Sequence, residues 1–337
     1  MISPEEIRAI LDDHNPVHLE TLAGDARRLT RQYFGHAIGL YTPLYLSNFC
    51  ASHCTYCGFH SHHTITRVKL TGEQTEREMQ AIAALGTQNI LLLTGESPQA
   101  TPPEYLITAV RLAKKYFQGI ALEVYPMRED EYRALYQAGA DGVTVYQETY
   151  DCTRYAEVHL AGEKKNYAFR RQAPERVARA GLRQISLGIL LGLGPVAEDL
   201  AALYGHLQEL ERNFPGVEYS LSFPRLRTIK AREFATATVD DAAFVKILCL
   251  TRCLFPRVGL NLSTRETASL RNHLLDICIT RVSIGSKTSV GGYLTDEPPG
   301  DPQFDVADNR SAGDMILHLN AHGFDPVFTD WRKIDNI

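Results

Sequence analysis

Apolar and β-branched residues fall into short, nearly unbroken runs at 40–46, 89–94, 120–125, 142–146, 184–191, 218–223, 259–263 and 279–284. Runs without polar alternation belong to strands covered on both faces, the condition of a parallel sheet flanked by helices. The longer stretches between them carry helical signals. Thr71-Gly72-Glu73-Gln74 reads as a capping box opening a helix that runs to Leu85, with Gly86 placed to end it. Gly139, Gly181 and Gly323 close other helical stretches in the same way. Eight strand–helix units in one chain of 337 residues predict a (β/α)8 TIM-type barrel rather than a doubly wound sheet. Residues 1–36 read as an N-terminal helical extension, opened by Ser3-Pro4-Glu5-Glu6, and residues 37–337 as a single barrel domain.

A barrel of this kind places its chemistry just after the strands, and the polar groups fall there. The second run ends in Thr94-Gly95-Glu96, the third carries Glu123 and Tyr125, and the fourth ends in Tyr146-Gln147-Glu148-Thr149. The sixth leads into Pro224-Arg225-Leu226-Arg227, the seventh into Ser263-Thr264-Arg265-Glu266, and the eighth into Ser283-Ile284-Gly285-Ser286-Lys287. Together they predict a deep polar pocket at one end of the barrel.

Composition narrows the partners. Lys and Arg number 35 against 40 Asp and Glu, a net charge of −5 without a basic block, so no nucleic-acid partner is expected. No membrane partner is expected either, because no apolar run reaches the roughly 18 residues of a spanning helix. The N-terminus does not read as a signal peptide, and seven cysteines, an odd number, do not form a secreted disulfide framework. A cytoplasmic location is the resulting expectation.

The strongest chemical signal follows the first run: Cys50-Ala51-Ser52-His53-Cys54-Thr55-Tyr56-Cys57-Gly58-Phe59-His60, a C-x3-C-x2-C spacing. Three thiolates so close together suit an iron–sulfur cluster, and a four-iron cluster with only three protein ligands keeps one iron open. Two other readings of the motif stand beside this one. His60 could complete a Cys3His zinc site, and a fourth ligand from elsewhere would make an electron-transfer cluster. Either would leave a non-catalytic barrel. Cys249 and Cys253, four apart in an apolar helix, and Cys278 read as buried structural thiols, while Cys152 is ambiguous. His53, His60, His62 and His63 crowd the cysteine loop and read as loop residues rather than ligands.

The cysteine spacing, with an aromatic residue before the last cysteine and a barrel strand before the first, resembles the radical S-adenosylmethionine (SAM) superfamily. Further stretches are similar to its aromatic amino-acid lyase branch, the tyrosine lyases of thiamine biosynthesis typified by 2-iminoacetate synthase. They are Pro43-Leu44-Tyr45-Leu46-Ser47-Asn48, Leu92-Leu93-Thr94-Gly95-Glu96, Val145-Tyr146-Gln147-Glu148-Thr149-Tyr150, Ser222-Phe223-Pro224-Arg225-Leu226-Arg227, Leu262-Ser263-Thr264-Arg265-Glu266 and Gly291-Gly292-Tyr293. The resemblance implies a [4Fe–4S] cluster on Cys50, Cys54 and Cys57, with SAM on the open iron. It further implies that Thr94, Gly95 and Glu96 receive the SAM amino group, and that Glu148 lies near the ribose. Arg170 would meet the SAM carboxylate, while Tyr56 and the Phe59 backbone flank the adenine. Ser263 and Arg265 would grip the α-carboxylate of the substrate, with Ser283 completing the clamp. Arg225 and Arg227 are balanced between active-site and rim roles.

The implied reaction is hydrogen abstraction from the amino nitrogen of tyrosine by a 5′-deoxyadenosyl radical. Cα–Cβ cleavage then yields 2-iminoacetate and p-cresol. A flavodoxin-type electron donor and a thiazole synthase partner are implied by the resemblance alone. A paralogue acting on tryptophan or another aromatic amino acid would keep the cluster, SAM and carboxylate positions. The related maturation enzyme of metallocofactor assembly needs C-terminal cysteines for a second cluster. Only six residues, none of them cysteine, follow Trp331, so the thiamine-type reading is expected.

Overall fold

The computed structural model describes residues 2–226, 239–294 and 300–329. Eight parallel strands form the barrel: β1 (Ala37–Ser47), β2 (Asn89–Thr94), β3 (Gly119–Glu123), β4 (Gly142–Glu148), β5 (Gln184–Ile189), β6 (Glu218–Ser222), β7 (Gly259–Leu262) and β8 (Arg281–Ser283). Each pairs with the next, and β8 returns to β1 through Gly39↔Arg281, Leu40↔Val282 and Tyr41↔Ser283, which closes the ring. The (β/α)8 expectation is met. Parallel strands need crossover connections, and each strand is followed by helix that packs back on the sheet. Leu40, Leu92, Leu122, Val143, Ile185, Leu221, Leu260 and Val282 are all buried between the layers. Each such side chain contributes about 1.5–3 kcal/mol by leaving water.

Three features depart from the sequence reading. The eighth strand is shorter than 279–284: Ile279 N still bonds Leu274 O in the turn out of the preceding helix, and the strand ends at Ser283. A ninth strand, β9 (Asp325–Val327), pairs with the first residues of β1 at Ala37↔Asp325, on the edge that β2 does not reach. A small antiparallel ribbon also joins His53–Cys54 to His159–Ala161, far apart in sequence.

The capping boxes at Ser3–Glu6 and Thr71–Gln74 form as expected. Helix α1 (Pro4–Leu11) packs on the helix Val196–Asn213, and α2 (Pro16–Phe34) on Asp241–Leu254, where Lys246 Nζ donates to Leu11 O at 2.8 Å. Cys249 and Cys278 are buried, Cys253 is half-buried and Cys152 is exposed. Among the described residues, no helix is long and apolar enough to cross a membrane.

Two strands are bulged where they reach the functional face. Register shifts lie between Tyr45 and Ser47 in β1 and between Tyr146 and Glu148 in β4. A bulge turns the following side chains relative to the strand, and here those residues are the start of the cysteine loop and the Glu148 carboxylate.

Candidate active site

The cysteine loop is wound around one cation. Arg67 donates to Asn48 O at 2.6 Å, Phe59 O at 2.7 Å and His60 O at 2.7 Å, satisfying carbonyls that a loop leaves without ladder partners. Asn48, fully buried, ties the other side through Thr66 O and Val68 N. None of the three loop cysteines is in a disulfide. All three line one cavity with Thr94, Gly95, Glu96, Glu148, Lys164 and Arg170. Gly95 passes so close that an added Cβ would meet the Phe49 carbonyl oxygen and stand 2.9 Å from its carbon. Only a residue without a side chain lets β2 abut the loop there.

As free thiols these groups resist ionisation: burial pushes Cys50 up to about 11 and raises Cys54 and Cys57 as well. Positive metal centres reverse that preference, since a coordinated thiol is deprotonated outright. The ligands of a single zinc ion, bound at about 2.3 Å, would lie within roughly 4 Å of one another. Among the described residues the only metal-ligating trio within 4.8 Å is His53, His60 and His62, so the cysteines are not gathered for one ion. Their donor set suits a wider, multi-iron cluster. His60 stacks on His53 and His63 instead of joining them.

A buried charge network forms the opposite wall. Arg170 pairs with Glu96 and donates to Tyr146 O at 2.9 Å. Lys164 Nζ lies 3.4 Å from Glu96 and 2.7 Å from Glu148. Burial alone would raise Glu96, but Arg170 and Lys164 outweigh it and bring the carboxyl to about 2; Lys164 lowers Glu148 in the same way. Glu148 is the one non-glycine with positive φ among the described residues, at +71°. Such a backbone costs on the order of 1–3 kcal/mol and persists where surrounding structure holds it.

Thr94 Oγ1, Glu96 Oε2 and Arg170 Nε are buried there without a hydrogen-bond partner among the described residues. Orphaned polar atoms of both signs beside three thiols fit a ligand carrying both an ammonium and a carboxylate. Tyr56 Oη lies 2.9 Å from His159 Nε2, while His159 Nδ1 faces Tyr155 O at 2.8 Å. The carbonyl can only accept, so Nδ1–H donates to it, which leaves Nε2 to accept from the tyrosine hydroxyl. Phe59 is buried, edge-on to Tyr45, with its carbonyl engaged by Arg67 and its N–H donating to Cys57 Sγ at 3.4 Å.

The cavity adjoins a second, larger chamber that opens at the mouth of the barrel. Cys57, Glu148 and Lys164 line both spaces. On the far side stand Ser263, Arg265 and Ser283, which the structure brings together. The Arg265 guanidinium lies 3.6 Å from the centre of the Phe304 ring and has no ion pair among the described residues. Ser263 Oγ accepts from Arg265 N at 3.4 Å, and Ser283 Oγ is buried without a partner. Glu123 reaches in from the end of β3; burial, then the Glu148 charge, push it up to about 7 against the pull of Arg265. Arg225 is engaged elsewhere, with Glu266 at 3.0 Å and Asp241 at 2.7 Å, which makes it a structural tie. Arg227 lies outside the described residues.

Two participants had no clear sequence signal. Lys164 sits in Gly162-Glu163-Lys164-Lys165, which reads as a solvated turn. Its marker is Gly162, where a Cβ would stand 2.6 Å from Ser52 Cα, so the loop packs directly on the cysteine segment. Gln303 crosses the mouth, accepting from Tyr45 Oη at 2.7 Å, with its Nε2 at 3.9 Å from Cys57 Sγ.

Comparison with known proteins agrees with this geometry. Residues 44–207 match the radical SAM superfamily, and residues 222–325 the biotin and thiamin synthesis associated domain. The chain is 38% identical over 331 residues to the 2-iminoacetate synthases of Salmonella typhimurium and Escherichia coli, covering 98% of this chain and 88% of each relative. Among solved structures, the [FeFe]-hydrogenase maturase HydG from Carboxydothermus hydrogenoformans superposes with a TM-score of 0.90 at 32% identity, over 98% of this chain and 78% of that one. A cysteine loop at the mouth of a closed barrel, an unpaired guanidinium across the chamber and near full-length similarity converge: the chain belongs to the radical SAM superfamily, in the 2-iminoacetate synthase family of carbon–carbon lyases that use a [4Fe–4S] cluster and SAM.

Proposed function

We propose that this chain cleaves the Cα–Cβ bond of L-tyrosine, giving 2-iminoacetate and p-cresol. The carrying observation is Arg265, a cation with no salt bridge among the described residues, facing the cysteine cavity across a shared chamber beside Ser263 and the orphaned Ser283 hydroxyl. A planar guanidinium makes two parallel hydrogen bonds to a carboxylate, and the two hydroxyls supply further donors.

Cys50, Cys54 and Cys57 hold the cluster. Thr94, the Gly95 main chain and Glu96 receive the SAM amino group, Glu148 the ribose, Arg170 the SAM carboxylate through its remaining capacity, and Tyr56 with the Phe59 backbone the adenine. When bound, cluster and SAM supply a 5′-deoxyadenosyl radical that removes a hydrogen atom from the amino nitrogen of the substrate. Everything else is positioning. The clamp fixes one end of tyrosine so that one hydrogen faces the radical source, a geometric constraint that can lower a barrier by several kcal/mol. Tyr41, Tyr146 and Leu91 with Glu123 form the chamber wall against the barrel interior. In this reading Glu123, which lines the same chamber, accepts a hydrogen bond from the phenol.

The reaction consumes two electrons and a proton, one electron to cleave SAM and the other, with the proton, to reduce the 4-hydroxybenzyl radical left by Cα–Cβ cleavage to p-cresol; a flavodoxin-type donor is the proposed source of both electrons. Iminoacetate hydrolyses in water, so hand-over to a thiazole synthase in the cytoplasm is proposed as its fate. The test is anaerobic incubation of the reconstituted enzyme with dithionite, SAM and tyrosine. Formation of p-cresol with 5′-deoxyadenosine is expected. Deoxyadenosine with tryptophan but not tyrosine would overturn the substrate, and its complete absence would leave only an electron-carrying barrel.

A further inference from the structure

Outside the chamber the cysteine loop carries a second cluster of ligating side chains that the lyase reaction does not use. His53 lies between the first two cysteines, and His60, His62 and His63 follow the third. The ribbon pairing of His53 with Ala161 fixes one side, and the bond from Ser61 N to Ser52 O at 2.9 Å brings the other against it. Ring centroids are 5.0 Å apart for His53 and His60 and 4.2 Å for His53 and His62. One ring nitrogen from each of His53, His60 and His62 lies within 4.8 Å of the others. His60 Nδ1 is buried and has no hydrogen-bond partner among the described residues. His63 is excluded from the trio but supports it: Nδ1 lies 3.0 Å from Gly58 O, and its ring stacks on His60 at 4.5 Å.

We propose that His53, His60 and His62 form a mononuclear site for a divalent transition metal that prefers imidazole, of the zinc or cobalt type, on the outer face of the cluster loop. Three nitrogen donors and a remaining position for water are a common set for such ions. Small side-chain rotations turn the stacked rings so that their nitrogens face one point. Bound there, the ion would join the segment before Cys54 to the segment after Cys57, stapling both ends of the loop from outside. The site depends on the loop geometry alone and should bind whether or not tyrosine is the substrate.

The test uses the cluster-loaded protein, stripped of loosely bound metal and titrated anaerobically with Co2+, with iron counted in the same samples. A single equivalent of Co2+ is expected, with a spectrum of nitrogen and oxygen ligation and no thiolate charge-transfer band. His60→Gln and His62→Asn should each weaken binding at least about ten-fold with iron unchanged, since even outer partners of metal-bound histidine are worth roughly 10–100-fold. Absence of binding at 100-fold excess, binding unaffected by both variants, or a thiolate band would overturn the proposal.

Discussion

Replacing Arg265 isolates the substrate clamp from the cluster. In the structure this guanidinium has no ion pair among the described residues and rests on the Phe304 ring at 3.6 Å. Removing it therefore breaks no salt bridge, and the folding cost should be limited to a cation–π contact of about 0.5–2 kcal/mol. The binding cost is larger. Truncating one member of a desolvated charge pair costs roughly 2–5 kcal/mol, and at about 1.4 kcal/mol per decade Arg265→Ala should weaken tyrosine binding from about 30-fold to several thousand-fold. Arg265→Lys keeps the charge but loses the two-pronged geometry, so a loss of about 10–100-fold is expected. Equilibrium binding of tyrosine to the anaerobic enzyme with SAM measures the first quantity. The ratio of 5′-deoxyadenosine to p-cresol measures the second consequence, because a poorly held substrate lets SAM cleavage run without product. Iron content and SAM affinity should match the parent. Tyrosine affinity within two-fold of the parent, in Arg265→Ala protein with full iron, would refute the clamp.

Lys164→Met leaves Glu96 and Glu148 with one fewer buried cation, a kind of change that typically costs about 3–5 kcal/mol; denaturant unfolding of the cluster-free protein should show that loss, and a change under 1 kcal/mol would count against the network. The Glu123 carboxyl, raised to about 7 in the folded chain from an ordinary 4.5, binds more protons folded than unfolded between those values. Its contribution to stability is therefore full below about pH 4.5 and is lost as pH rises through 7; Glu123→Gln should remove that slope. If the ionised form accepts from the phenol, product formation rises through pH 7 in the parent, and Glu123→Gln should erase the inflection. Gly95→Ala pushes a methyl into the Phe49 carbonyl, an overpacking worth about 1–3 kcal/mol. Iron retained per chain should fall, and an unchanged iron count would show that the loop can yield.

Much of this architecture was legible because barrel strands are buried on both faces and so print continuous apolar runs. Those at 89–94 and 142–146 lie within or match β2 and β4. The cysteine spacing and the polar groups after strands were equally plain, since a local motif needs no knowledge of distant contacts. Pairings between remote segments left no such trace. β9 is three residues long with Pro326 at its centre, and the ribbon at His53–Cys54 exists only through His159–Ala161. Lys164 carries no signal of its own, because nothing in its neighbourhood announces Glu96 and Glu148, which arrive from β2 and β4. Arg225 was undecided for the same reason: Glu266 and Asp241, which claim it, lie on other segments.

The stretch after β8 lies across the barrel like a crossbar. Gln303 approaches Cys57 and holds Tyr45, its neighbour Phe304 supports Arg265, and Ala307 N bonds Thr264 O at 2.9 Å. A mutation in it would disturb sulfur environment and carboxylate grip together, which leaves little freedom for drift. On the side where Leu190, Pro224 and Leu226 meet the chamber the lining is apolar, with Leu190 and Leu226 packed beside Tyr56. Divergence toward a different aromatic side chain would therefore accumulate on that side, and libraries intended to retarget the enzyme should begin there and leave the crossbar untouched.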